Sequence, residues 1–434
     1  MLYHAYEFNY SMFKPLRNLA SLGKHIYGSP VNPVAYTPIG RSVFAAFDVL
    51  ESLTRRYQKP DWNLPVTTIA GHDVPVTTQV VYRKPFCNLV HFQRDAQSLR
   101  DSAGEQAVQP RVLLVAPMSG HYATLLRGTV EALLPHHEIF VTDWIGARQV
   151  PLSEGRFDLN DYIDYLIEFL EFIGPGAHVI GVCQPGPAIV SAVSVMSAEK
   201  SDSLPSSMTL MGSPIDTRLS PTVPNKLAEE KPLSWFKSNL IYTVPWPNNG
   251  FLRRVYPGFL QLGGFISMNQ ERHTDALQRY FNNLVIGDQE SVGKHREFYD
   301  EYLAVQDLTE EFYLQTIVDV FREHKLPRGI FEHRGKTVEP SAIKSVALMT
   351  VEGELDDISG IGQTQAAHTL CSNIPESMRN DYVQEGVGHY GVFNGRRFRE
   401  QIMPRMNAFY LQHYSPKAEK ALRRQRPELE LVND

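Results

Sequence analysis

The stretch His178-Val-Ile-Gly-Val-Cys-Gln-Pro-Gly-Pro187, "HVIGVCQPGP", decides how the rest of the chain is read. "HVIGV" is a short apolar run that suits a strand buried on both faces. "GPAIVSAVSVM" after it reads as a helix. A tight turn joins them, and this is the kind of strand-to-helix corner at which a G-x-S-x-G box exposes a nucleophile. Here Cys183 stands in place of the serine. Gly181 lies two residues before it; Pro185 occupies the position of the second glycine, and Gly186 follows. Proline suits a first helical turn, where its missing N–H is not needed, so the corner can still form.

The surroundings fit such a corner. From residue 110 the chain alternates short apolar runs with amphipathic ones: "RVLLVAP", "ATLLRGTVEALL", "HEIFVTDW", "NDYIDYLIEFLEFIG", "AHVIGV", "SMTLMGSP". Alternation of this type predicts a doubly wound, mostly parallel sheet. In the helix after "HEIFVTDW", Leu159, Tyr162, Ile163, Leu166, Phe169, Leu170 and Ile173 share one stripe; Asn160 is the expected N-cap and Gly174-Pro175 the stop. The alternation stops at residue 217 and resumes at "SVALMTVEGELDD" and "DYVQEGVGHYGVF". Between them lies an aromatic-rich stretch with helices, including "LTEEFYLQTIVDVF" capped by Thr309, and no convincing strand. It reads as a cap inserted into the sheet.

In an open α/β sheet, chemistry gathers at the carboxyl ends of strands. Cys183, Asp356 and His389 each follow a predicted strand, in the chain order nucleophile, acid, base, with the cap between the first two. That is the order of the α/β-hydrolase fold. A thiol with an ordinary pKa is only a few per cent ionised at neutral pH, so an imidazole that takes its proton is needed. The imidazole in turn needs a carboxylate to fix its tautomer. In "GELDDI" the spacing from the glycine favours Asp356, with Asp357 the alternative. The oxyanion donors expected are the N–H of Gln184 and one from the turn after "LLVAP", that of Met118. His121, in that same turn, is the rival base. Cys87 and Cys371 read as small core residues. His136-His137 beside Glu138 reads as an exposed corner rather than a metal site, and no P-loop, G-x-G-x-x-G or H-E-x-x-H occurs.

Domain expectations follow: residues 1–62, helical and aromatic-rich; 63–216, first part of the core, opening with Val/Thr-rich antiparallel strands; 217–340, the helical cap; 341–414, second part of the core; 415–434, a charged tail. In the first segment Val43, Phe44, Phe47, Leu50 and Leu53 form the expected buried face of a helix. The 434 residues are 43% apolar and 21% charged, ordinary for a globular protein, and the formal charge of -6 offers no footprint for nucleic acid. No apolar run approaches a membrane span, and no secretory pattern opens the chain. Three cysteines make no disulfide framework, so a cytoplasmic setting is expected.

The box "GVCQPG", the acid loop "VEGELDDI", the base loop "GVGHYGVFNG" and the aromatic insertion together resemble the intracellular polyhydroxyalkanoate depolymerases, in particular the cysteine-dependent depolymerases of native poly(3-hydroxybutyrate) granules. The resemblance runs from the N-terminus to about residue 414. It implies Cys183 as nucleophile, His389 as base and Asp356 as its partner. It also implies a bacterial cytoplasmic enzyme acting on a granule surface, without a cofactor or metal, in which coenzyme A is a chemically reasonable acyl acceptor beside water. Trp235 and Trp246 in the cap and Tyr390 beside the base are the expected substrate contacts, and a homodimer covering the cap is compatible with the sequence. The alternatives are a polyhydroxyalkanoate synthase-like acyltransferase, whose box has paired glycines where Pro185 stands, a non-catalytic granule-coat protein, and a hydrolase of small soluble esters.

Overall fold

A nine-stranded sheet organises the protein. The computed structural model describes residues 2–104, 108–268, 270–416 and 418, so nearly all of the charged segment 415–434 lies outside the described residues. The strands are β1 (Val66–Ile69), β2 (His72–Lys84), β3 (Cys87–Arg94), β4 (Arg111–Val115), β5 (Glu138–Trp144), β6 (His178–Val182), β7 (Ser207–Met211), β8 (Ala347–Gly353) and β9 (Arg379–Gln384). Their spatial order is β1-β2-β3-β5-β4-β6-β7-β8-β9. The first three form an antiparallel meander that joins β5 antiparallel, and from β5 to β9 every pairing is parallel. The α/β-hydrolase class read from the sequence is therefore the architecture found. Strands β4, β6, β7 and β8 are buried along their whole length, which explains why they read as unbroken apolar runs rather than alternating ones.

Three helices precede the sheet: α1 (Leu2–Met12), α2 (Lys14–Tyr27) and α3 (Pro38–Thr54). In the core, α4 (Leu159–Ile173) and α5 (Gly186–Ala198) cover the sheet. Asp158, not Asn160, caps α4: its carboxylate accepts from the N–H groups of Asn160 and Asp161, and Asp161 answers with the reciprocal bond of a capping box. The buried stripe of α3 also differs from expectation. Leu53 is exposed, while Ala45 and Asp48 are buried. Asp48 is tolerated there because Lys24, Arg296 and the Tyr280 hydroxyl all point at it.

The insertion after β7 contains α6 (Gly258–Met268), α7 (Gln270–Ile286), α8 (Gln289–Tyr302) and α9 (Glu310–Thr316), the last continuing as a π-helical stretch over 317–322. Thr309 caps α9 through its hydroxyl. A small antiparallel ribbon of Tyr242–Thr243, Arg254–Tyr256 and Leu308–Thr309, absent from the sequence reading, ties the insertion together. Its strands are two or three residues long, too short to show a period. The insertion lies over the carboxyl ends of β4 and β5: Gln306 N–H donates to Gly120 O at 2.7 Å and Ala147 N–H to Asp307 O at 2.9 Å.

Candidate active site

The corner between β6 and α5 holds Cys183 at φ +66°, a left-handed conformation rare for a non-glycine residue. Cys183 N–H donates to Met211 O at 2.7 Å, which fixes the strained turn to β7. Pro185 sits at φ -68° as the residue preceding the helix, and α5 begins at Gly186. Gly186 meets the steric demand of the displaced second glycine: a Cβ there would lie 2.4 Å from Ser213 Cβ. The half-buried Cys183 thiol thus projects at the carboxyl edge of the sheet and the N-terminus of α5.

Two loops bring partners to it. Asp356 follows β8 and His389 follows β9. Asp356 Oδ1 accepts from the N–H groups of Ile358 (2.9 Å) and Ser359 (2.8 Å), while Oδ2 pairs with His389 Nδ1 at 2.8 Å. Asp357 is exposed. The Cys183 side chain stands near enough to the His389 ring to favour its charged form. Burial works against charge on His389, but Cys183 and Asp356 outweigh it and hold the imidazole well above its ordinary pKa. Gly212, at φ +53°, passes so close that a Cβ would stand 3.1 Å from His389 Cε1 and 3.2 Å from Asp356 Oδ2.

The other two cysteines differ. Cys87 and Cys371 are buried, and burial raises both thiols, Cys371 to about 12. His121 is buried in the turn after β4; its Nε2 lies 3.1 Å from Tyr302 O, and burial depresses it to about 4. Its ring faces Phe265 and Tyr302 rather than a carboxylate. Met118 N–H donates to the Gln184 side-chain carbonyl at 3.1 Å, so one expected oxyanion donor is held by the side chain of the residue expected to supply the other.

The rings beside the triad come from the base loop and the insertion. Tyr390 lies 6.0 Å from His389, 5.7 Å from Phe393 and 6.3 Å from Tyr302, centroid to centroid. Burial, Tyr302 and Cys183 push its phenol up. Trp235 instead packs edge-on against Phe236, in a cluster with Tyr256 and Tyr313, and Trp246 is 76% exposed. The sequence reading missed Tyr302, which closes a mostly polar helix and gave no apolar stripe to notice. It also placed the His136–His137 corner in solvent. His137 is in fact buried, with Nε2 2.6 Å from Asn407 Oδ1. Among the described residues no group of three His, Cys, Asp or Glu side chains is disposed to hold a metal, and no helix is long and apolar enough to cross a membrane.

Residues 212–414 match the family model described as "PHB de-polymerase C-terminus". The matched stretch contains Asp356 and His389 and begins after Cys183. No curated protein matches the chain. Solved structures similar to it include a putative lipase from Acinetobacter baumannii AYE (11% identity, 78% of this chain and 92% of that one, TM-score 0.42). A monoacylglycerol lipase from Paleococcus ferrophilus is similar at 12% identity, over 70% of this chain and 96% of that one, with a TM-score of 0.42. A soluble variant of monoglyceride lipase from Saccharomyces cerevisiae is similar at 12%, 82% and 99%, with a TM-score of 0.44. The match to this family model, on a sheet of α/β-hydrolase architecture, supports an ester hydrolase.

Proposed function

We propose that this hydrolase, whose second half is a PHB depolymerase C-terminal domain, cleaves the ester bonds of amorphous poly(3-hydroxybutyrate) granules through an acyl-enzyme on Cys183. The observation that carries the reading is the Asp356–His389 pair, 2.8 Å apart, beside Cys183 at the carboxyl edge of the sheet. His389 takes the proton of the Cys183 thiol, and the sulfur attacks an ester carbonyl carbon of the polymer. The resulting oxyanion is stabilised by the N–H of Gln184 and by that of Met118 once the Gln184 side chain yields it. The C–O bond breaks, and the alcohol end leaves with a proton from His389. Water then gives a proton to His389 and attacks the thioester, freeing 3-hydroxybutyrate or a short oligomer, and His389 returns the proton to the sulfur. Tyr390, beside His389, lines the acyl site and Tyr302 roofs it. Coenzyme A thiol can replace water in the second step and would release 3-hydroxybutyryl-CoA. No metal or organic cofactor takes part, and the setting proposed is the granule surface in the cytoplasm.

The test is turbidity of amorphous poly(3-hydroxybutyrate) particles with wild type and Cys183→Ala, with and without coenzyme A, while released hydroxybutyrate is measured. Clearing by the wild type alone supports the reading, and the coenzyme A arm identifies the acceptor. Clearing by neither protein overturns it. Coenzyme A release from 3-hydroxybutyryl-CoA with polymer formation would make the protein a synthase.

A further inference from the structure

The strand that leads to the acid carries a second carboxylate, which the chemistry above does not use. Glu352 lies near the end of β8 and is 1% exposed. A carboxylate so buried is costly unless its oxygens are satisfied. Its partners are backbone N–H groups rather than cations. Oε2 accepts from Gly362 N–H at 2.8 Å, and Oε1 accepts from the N–H groups of Thr364 at 2.7 Å and Gln365 at 3.1 Å. A glutamine here would keep one acceptor oxygen and turn its NH2 toward the remaining N–H, donor against donor. The converging donors therefore call for a carboxylate and disfavour its amide.

The loop gripped in this way, residues 354–365, is the acid loop, and carboxylates hold it near both ends. Asp356 Oδ1 accepts from Ile358 and Ser359, and Glu352 holds the stretch 362–365. The same loop is joined to the one that follows β7. The Thr364 hydroxyl donates to Ser213 O at 3.1 Å and accepts from Ser213 N–H at 2.7 Å. Asp216 N–H donates to Gln363 O at 3.2 Å, and the Thr222 hydroxyl donates to Ile358 O at 2.9 Å. Ser213 carries the link onward. Its side chain lies against Gly186 at the start of α5, and the residue before it, Gly212, lies against His389 and Asp356. A continuous set of contacts thus runs from Glu352 through Thr364 to the thiol corner on one side and the acid–base pair on the other.

We infer that Glu352 is a positioning residue: through Thr364 and Ser213 it fixes the spacing between the Cys183 corner and the Asp356–His389 pair. The inference rests on the function proposed above for the reaction it serves. Glu352 and Thr364 act through other residues and touch no reacting atom, so their loss should cost rate rather than binding. A misplacement of about an ångström, originating away from the chemistry, can cost a rate of the order of a hundredfold.

The test compares the full-length wild type with Glu352→Gln, Thr364→Val and the double variant. Thr364→Val keeps the shape of the side chain and removes both bonds to Ser213. On a soluble 3-hydroxybutyrate ester, kcat should fall roughly 10–100-fold in each single variant, with KM within about twofold of the wild type. The second readout needs no turnover: the rate of alkylation of Cys183 by iodoacetamide against pH, read by peptide mass spectrometry. A displaced acid–base pair gives the thiol less help in ionising, so the midpoint should rise by roughly one pH unit in both variants. Both act on one linkage, so the double variant should be little worse than the poorer single one. Thr364→Ser, which keeps the hydroxyl, should behave as the wild type. Asp48→Asn alters the buried carboxylate of α3; it should lower the melting temperature and move neither readout.

Variants that melt earlier but keep the wild-type kcat and alkylation midpoint overturn the inference and leave Glu352 a stabilising residue only. So does an equal midpoint shift in Asp48→Asn, or a Thr364→Val protein that behaves as the wild type; the latter decides the matter even where Glu352→Gln fails to fold. A wild type that hydrolyses no ester, with a midpoint that still moves in both variants, would sink the hydrolase reading and leave the positioning role standing.

Discussion

The two ends of strand β6 each lie beside a buried histidine, and the two are driven in opposite directions. At the amino end His178 lies against Ser207, with Nδ1 2.8 Å from its hydroxyl, and burial lowers its pKa to about 3. At the carboxyl end the ring of His389 is buried too, yet its pKa is raised, because Cys183 and Asp356, whose Oδ2 lies 2.8 Å from Nδ1, outweigh the burial. Burial alone discharges an imidazole; burial beside groups that favour the cation, a carboxylate among them, holds it charged. The same sheet therefore lowers one histidine and raises another, and the difference lies in what the loops bring to it.

The largest break in this comparison comes from Asp356→Asn. It removes one anion and makes His389 resemble His178. Turnover of a soluble ester should fall by roughly 10³–10⁴-fold, as expected when an imidazole loses the carboxylate that orients it. A fall of less than tenfold in kcat would contradict the pairing. The pH dependence of stability comes next. His121, His137 and His178 are held below the ordinary value of 6.5, at about 4, 4 and 3. Their stabilising contribution is complete above 6.5 and is lost as pH falls from there toward those values. His389 runs the other way, contributing below 6.5 and losing that contribution as pH rises through its raised value. Between pH 7 and 5 each lowered histidine should therefore cost about 2 kcal/mol. In denaturant titrations His178→Asn should show a smaller acid loss than the wild type by that amount.

Two smaller effects concern the corner itself. Gly186→Ala pushes a Cβ into Ser213 and should destabilise by about 1–3 kcal/mol, read from thermal unfolding. Gln184→Ala frees Met118 N–H for the substrate carbonyl. KM for a soluble ester should drop by up to about fivefold, the worth of one hydrogen bond, with kcat held. A rise in KM would mean that the glutamine instead orders the turn.

The sheet was legible because its buried strands leave unbroken apolar runs, as at "RVLLVAP" and "HVIGV", separated by clear helix stops such as Gly174-Pro175. The positions of Cys183 and Asp356 were legible because each follows such a run; His389 follows the more polar strand "RNDYVQ" and was legible from its place after the last strand. The roof was not. Tyr302 ends a helix whose sequence, "QESVGKHREFYDEY", is nearly all polar, and its neighbours His121 and Tyr390 reach it only through the tertiary fold. The aromatic density around Trp235 and Trp246 pointed to the cap but could not say that one ring packs inside it and the other faces solvent. Asp48 defeated the reading of α3, because a buried carboxylate is explained only by partners on α2, α7 and α8.

The central claim is an acyl-enzyme on Cys183. The most direct measurement is rapid acid quenching of the enzyme during turnover of a 3-hydroxybutyrate oligomer, followed by peptide mass spectrometry. A 3-hydroxybutyryl thioester on the peptide carrying Cys183, absent after iodoacetamide treatment and absent in His389→Ala, is the predicted result. Turnover with no adduct on Cys183, or an adduct on a serine such as Ser119, would contradict the account.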